Sequence, residues 1–326
     1  MKLSNLSILI TSYNKSQFLN DFQSLLKDLL SLGAEIVIVD DNSTDDSAEI
    51  LSKMVLEMHA ITLITNPENR GSAASRNHAL SLATRPYVCF LDIDDRLIVP
   101  VLVEMCQYAE VNNLDLVRAS YSNLETPNLP VSEDFLDVGI YELSDLSQTL
   151  ARNLGYWRFI YSRSFLTESN VKFLPTRKDL KSRHFILDDL FWLIAVFSLR
   201  GKIGILPRDK ISYIYTSTTH TLSSWKTFRR QAMMIPKASL FCLDFYINNP
   251  YISMTTLKLL LLNKSLGHMQ YLKITELIFA LPNFLILSHR CEINRNAQLN
   301  SLKQIISLLK RALKNSIYPL FFRAKS

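Results

Sequence analysis

Three polar clusters in this chain of 326 residues follow directly on short apolar runs: Thr11-Ser12-Tyr13-Asn14, Asp40-Asp41-Asn42-Ser43 and Asp92-Ile93-Asp94-Asp95. The last brings at least two carboxylates close together, and like charges at such range must bind a cation or take up protons. Hard oxygen ligands in an open loop suit Mg2+ or Mn2+, ions that keep waters and bridge to phosphates. A diphosphate-bearing substrate follows. The usual backbone cradles for phosphate are missing, since the chain has only seven glycines and neither a GxGxxG nor a GxxxxGK followed by Ser or Thr. The metal must then carry much of the leaving-group charge.

Such clusters need a frame to hold them. Leu6 to Ile10, Ile36 to Val39, Ile61 to Ile64 and Val88 to Leu91 are runs of strand length, and Asp115 to Val117 ends in a fifth. Between them Gln17 to Leu32, Ser47 to Met58, Ser72 to Ala83 and Val99 to Val111 repeat apolar residues at helical spacing. Strands without polar alternation are buried on both faces, which predicts a mostly parallel open sheet with helices on each side. Ligands of such sheets sit beyond the carboxyl ends of the strands, where the three clusters lie. The segment Asp40 to Asp46 also holds an N-cap for the helix starting near Ser47.

Ile8 to Asn14, Val39 to Asp45, Asn69-Arg70-Gly71 with Ala74 to Asn77, and Phe90 to Asp95 resemble, in this order, the successive signatures of the family 2 glycosyltransferases of GT-A fold. The likeness is dense over the first third of the chain. It implies a nucleotide-sugar donor, with Thr11 and Tyr13 against the base, Asp41 bonding the pyrimidine, and Arg76 reaching base or phosphates from the first turn of its helix. A carboxylate suits the imide N–H of uracil, and Tyr13 offers a face for stacking. Asp92-Ile93-Asp94 is similar to the DxD motif, which turns Asp92 toward the ribose, or the metal through water, and makes Asp94 the more direct ligand. Asp95 is a third candidate, and the order within the trio stays open.

Tyr121 to Leu154 carries no readable motif and is assigned to the acceptor cleft. Tyr156 to Leu166 resembles the family stretch in which an aromatic strand precedes a basic pair and a short helix. Asp188-Asp189 then precedes an apolar helix, where an acid ordinarily caps or favours the helix dipole. The family commonly has Glu-Asp there with the second residue as catalytic base, which implies Asp189 as base and Asp188 as orienter or cap. Asp189 would take the proton of an acceptor hydroxyl in a single, configuration-inverting displacement, while metal and Asp94 neutralise the departing diphosphate. Thr216 stands where relatives often carry arginine. His220 reads either as a group reaching metal or diphosphate or as a surface histidine, and the other five histidines read as structural.

The composition, 48% hydrophobic and 20% charged, excludes a disordered, collagen-like or disulfide-framed chain. Its net charge of +6 hides a gradient: residues 1–130 carry nine Lys/Arg against seventeen Asp/Glu, residues 131–219 twelve against ten, and residues 220–326 fifteen against three. The four cysteines form no CxxC pair and read as free thiols of a reducing compartment. No apolar run reaches the ~20 residues of a spanning helix. The expected division is a GT-A catalytic domain over 1–222, with a nucleotide-sugar half at 1–118 and an acceptor-side half at 119–222, followed by a basic α-helical region at 223–326. Asn300 to Ala324 mixes apolar residues with five Lys/Arg, a composition suited to the interface of an anionic membrane. Nucleic acid is disfavoured, because no nucleic-acid fold motif accompanies the charge. The resulting expectation is a metal-dependent enzyme at the cytoplasmic face of a bacterial membrane. It would transfer a hexosyl or N-acetylhexosaminyl group from a donor such as a UDP-sugar to a glycan or lipid-linked acceptor in capsule or lipopolysaccharide assembly. Two alternatives are a glycosyltransferase-like subunit without turnover and a phosphoreceiver-type module; the sequence does not fix the oligomeric state.

Overall fold

The computed structural model describes residues 2–58, 60–124, 127, 130, 136–151, 155–174, 188–216, 225–269, 274–291 and 307. The chain divides into two compact units, Met1–Arg183 with Leu187–Thr219, and His184–Ile186 with His220–Ser326. His59, His184, His220 and, apart from residue 307, the basic stretch 300–324 lie outside the described residues.

The first unit runs β1 (Leu6–Ser12), α1 (Ser16–Ser31), β2 (Glu35–Asp40), α2 (Ser47–Met58), β3 (Ile61–Thr65), α3 (Ser72–Leu82), β4 (Tyr87–Asp92), β5 (Arg96–Leu97), α4 (Val99–Asn112) and β6 (Leu116–Arg118). It continues with β7 (Ser120–Asn123), β8 (Gly139–Glu142), α5 (Leu143–Leu150), a short 3-10 turn (Tyr156–Arg158), β9 (Phe159–Ser162), α6 (Arg163–Glu168), α7 (Asp188–Val196), β10 (Lys202–Ile205) and β11 (Ile211–Tyr215). Eight strands form one sheet in the order β3-β2-β1-β4-β9-β6-β10-β8, and β5, β11 and β7 form a second. The first four strands of the large sheet are parallel neighbours. β9 enters antiparallel between β4 and β6. Thus the α/β class and the strand-helix alternation follow the sequence pattern, whereas the antiparallel insertion does not show in it.

Burial explains the elements. β1, β2 and β4 are apolar and buried almost throughout, as central strands covered on both faces must be. The run at Ile61, expected to be equally buried, forms the edge strand β3 and is partly open. α1 buries Leu19, Phe22, Leu26 and Leu29, one stripe at three and four spacing. Where the sequence from Tyr121 to Leu154 reads as unpatterned, the structure has β7, β8 and α5, elements too short for their periodicity to stand out. Phe90 gathers Tyr156, Tyr161, Phe173 and Trp192 edge-on at 5.4 to 6.0 Å, and Phe173 stacks on Trp192 at 4.3 Å. This aromatic knot ties α7 and the 3-10 turn to the back of β4.

The second unit comprises α8 (Trp225–Tyr246), α9 (Met254–Met269) and α10 (Ile274–Cys291), a helical region as the sequence implies. Leu257, Leu261, Phe284 and Leu287 are among its buried residues, and Arg290 pairs with Asp244 at 2.6 Å. All four cysteines are free and buried.

Candidate active site

Register assembles the site. β1 lies between β2 and β4, so Thr11 faces Val39 on one side and Asp92 on the other, and Ser12 faces Asp40. The three polar clusters therefore end on one sheet edge. Their loops are laced together. Asn14, at φ 52, accepts from the Thr44 N–H at 2.8 Å through its Oδ1; asparagine tolerates this left-handed backbone better than most residues. Asp45 accepts from the Ser47 N–H at 3.0 Å and the Ser16 N–H at 3.1 Å, so one carboxylate caps α2 and α1 together. Desolvation pushes its pKa upward, and the hydrogen bonds from Ser47 and Ser16 outweigh it, bringing it to about 2.

Asp41 is buried and bonded on both oxygens. Oδ1 accepts from Asn66 Nδ2 at 2.8 Å, Ser75 Oγ at 2.9 Å and the Arg70 N–H at 3.0 Å, while Oδ2 accepts from the Gly71 N–H at 2.7 Å. Gly71 caps α3 at φ 85, a backbone that side-chain-bearing residues rarely adopt. Asp41 is thus engaged largely inside the protein, where it holds the turn that delivers α3 and Arg76. His78 has a structural partner, its Nδ1 lying 3.2 Å from Asn66 Oδ1.

The acid trio separates by environment. Asp92 keeps 32% of its side chain exposed and accepts the Tyr156 hydroxyl at 3.0 and 2.9 Å on its two oxygens. Arg76 Nη2 stands 3.8 Å from it, with the guanidinium 4.5 Å over the Tyr156 ring and 5.5 Å from that of Phe173. Arg76 is the fifth residue of α3, just past the first turn expected for it. Asp94 is 9% exposed and paired with Lys15 Nζ at 2.7 Å. Asp95 is buried; it accepts from Tyr213 Oη at 2.7 Å and from the Thr216 N–H and Oγ1 at 2.7 Å each. Burial, helped by the charge of Asp92, carries the Asp95 carboxyl up to about 6 against those hydrogen bonds. Asp95 therefore braces the loop against β11, and Thr216 supplies two of its donors.

Among the described residues no group of three or more His, Cys, Asp or Glu side chains could hold a metal ion by itself. Asp92 and Asp94 do offer the hard oxygen donors that Mg2+ or Mn2+ takes from a protein when substrate phosphates supply other ligands, so the donor set fits a divalent cation.

Asp189 is the second residue of α7, whose following residues Leu190 to Val196 are buried. Its Oδ1 accepts from the Leu190 N–H at 2.7 Å. Burial holds the Tyr156 hydroxyl well above its ordinary pKa; the charge of Arg76 opposes this, and those of Asp92 and Asp189 add to it. Tyr156 thus lies in the fields of both Asp92 and Asp189. Thr11 is half-buried at the strand end, and Tyr13 beside it is 44% exposed. Sequence reasoning missed Lys15 and the tyrosines 156 and 213. Lys15 directly follows the first motif, a signal that could have found it, whereas both tyrosines reach the site only through strand order.

Residues 7–163 match the family described as Glycosyl transferase family 2. The chain is 32% identical over 136 residues to UDP-Glc:alpha-D-GlcNAc-diphosphoundecaprenol beta-1,3-glucosyltransferase WfaP of Escherichia coli, covering 41% of this chain and 50% of that protein. It is 25% identical over 186 residues to glycosyltransferase GlyG of Streptococcus pneumoniae serotype 4, covering 55% and 58%. The chain spans about half the length of the curated relatives it matches. Among solved structures, S. aureus TarS 1-349 in complex with UDP superimposes with a TM-score of 0.64 at 19% identity, covering 98% of this chain and 92% of that one. Mannosyltransferase PcManGT from Pyrobaculum calidifontis in complex with GDP-Man and Mn2+ gives a TM-score of 0.53 at 15% identity, covering 93% and 80%. At such identities the likeness shows the fold, which is the GT-A arrangement expected from the motifs.

Proposed function

Because residues 7–163 belong to glycosyl transferase family 2, we propose that the chain is an inverting glycosyltransferase. It moves a sugar from a UDP-sugar to a hydroxyl of a glycan or lipid-linked acceptor in bacterial surface-polysaccharide assembly. The observation that carries this reading is one sheet edge where Thr11, Tyr13, Asp92 and Asp94 end side by side, with Arg76 against Asp92. Relatives support the donor class, one being named for UDP-Glc and a diphosphoundecaprenol acceptor, and TarS having been solved with UDP and with UDP-GlcNAc.

In this reading Tyr13 stacks on the base beside Thr11, and Asp41 meets the pyrimidine while holding its own turn. Arg76 lends positive charge to the diphosphate, and Tyr156 fixes the carboxylate of Asp92. Asp94 and Asp92 would hold Mn2+ or Mg2+, and the ion when bound would supply positive charge to the leaving diphosphate. Asp189 accepts the proton of the acceptor hydroxyl as it attacks the anomeric carbon. One displacement inverts that carbon. The excess of fifteen Lys/Arg over three Asp/Glu after residue 219 suits attachment to an anionic membrane surface, with His220 a further candidate for the diphosphate.

The test is nucleotide release and product formation with UDP-, GDP-, TDP- and CMP-sugars, with and without Mn2+. Asp189→Asn is expected to lose transfer by at least about a hundredfold while still binding UDP. Transfer at the wild-type rate by this variant overturns the base assignment, and failure of every nucleotide sugar to bind overturns the donor assignment.

A further inference from the structure

The ion pair between Lys15 and Asp94 has no role in the reaction as proposed. Lys15 is held at both ends. Its backbone N–H donates to Ser47 Oγ at 2.8 Å, and its ammonium lies 2.7 Å from Asp94 Oδ2 and 5.3 Å from the centre of the Phe18 ring. The lysine side chain is 24% exposed and the Asp94 side chain only 9%, so water screens this pair less than a surface pair. Asp94 is also the carboxylate assigned to the divalent ion. An ammonium on its Oδ2 takes away acceptor capacity and positions a like charge beside any cation that arrives.

We propose that Lys15 is a resident cation of the donor site. It neutralises Asp94 while no metal is bound, gives that carboxylate up to the divalent ion, and then turns its freed ammonium to the donor diphosphate. The short tether favours the exchange: the backbone anchor at Ser47 and the Phe18 ring keep the ammonium at the site when Asp94 is taken. Metal binding without nucleotide is therefore held weak, and the full set of positive charges assembles only when the diphosphate is there to receive it. The inference rests on the donor reading above and deepens it.

The experiment uses the full chain and measures Mn2+ by calorimetry, first without nucleotide and then with UDP. Removing the competing ammonium in Lys15→Met is expected to tighten nucleotide-free Mn2+ binding about tenfold, and to weaken UDP binding at saturating Mn2+ about fivefold. Lys15→Arg, which keeps the charge, is expected to stay within about twofold of wild type in the first measurement. Equal nucleotide-free Mn2+ affinity in wild type and Lys15→Met overturns the exchange, and unchanged UDP affinity overturns the role at the diphosphate. A wild-type chain that binds Mn2+ but no UDP overturns the donor reading instead, leaving the nucleotide-free comparison to decide the exchange.

Discussion

Replacing Tyr156 by phenylalanine isolates one hydroxyl at the centre of the proposed site. The ring keeps its edge contact with Phe90 at 5.6 Å and its face under Arg76 at 4.5 Å, so packing is preserved. What disappears is the donor that reaches both oxygens of Asp92 at 3.0 and 2.9 Å. A hydrogen bond to a charged group contributes about 1.5–3 kcal/mol. Asp92 is 32% exposed, so water replaces part of that, and a net loss of about 1 kcal/mol remains, or roughly a fivefold weaker donor complex. The assay is steady-state transfer with the donor varied. Donor KM is expected to rise about fivefold with kcat changed by less, and because the lost bond also belongs to the unliganded fold, the unfolding midpoint should fall by roughly 2–4 °C and no more. The double variant with Asp92→Asn shows whether the hydroxyl acts through this carboxylate: its effect should fall short of the sum of the two single ones. Strict additivity, or a donor KM within twofold of wild type in Tyr156→Phe, would refute the reasoning.

Asp45→Ala removes the cap shared by α1 and α2 and is expected to lower stability by about 1 kcal/mol at neutral pH, read from denaturant unfolding. Because the folded-state carboxyl lies at about 2, below its ordinary 3.8, the contribution is present above 3.8 and lost as pH falls toward 2, so wild type and variant should converge there. Gly71→Ala forces a side chain into φ 85 with ψ 160 and should cost about 1–3 kcal/mol, with UDP affinity falling as the Gly71 bond to Asp41 loosens. Unchanged stability in that variant would show that the turn relaxes freely.

Much of residues 1–118 was legible in the sequence because their elements are local. α2 was expected to span Ser47 to Met58 and does, and β1, β2 and β4 differ from their apolar runs by at most two residues at either end. Each of these strands is central and buried on both faces, which leaves an unbroken hydrophobic signature. The acidic strand ends could likewise be assigned to one edge from the pattern alone, since a parallel sheet brings like ends together. The separate fates of the three acids were not legible. Asp92, Asp94 and Asp95 are chemically alike and adjacent in sequence, and what distinguishes them is who faces them: Tyr156 and Arg76, Lys15, or Tyr213 with Thr216.

The sequence by itself determined the α/β class, the motif order and the residues able to do chemistry, because period, burial and side-chain type are written along the chain. Only the tertiary structure decided which of those residues meet. Inserting β9 antiparallel between β4 and β6 brings Tyr156, 64 positions away, onto Asp92, and β11 brings Tyr213 and Thr216 onto Asp95. Partners so distant in sequence leave no periodic trace, since their approach is fixed by strand order rather than by spacing.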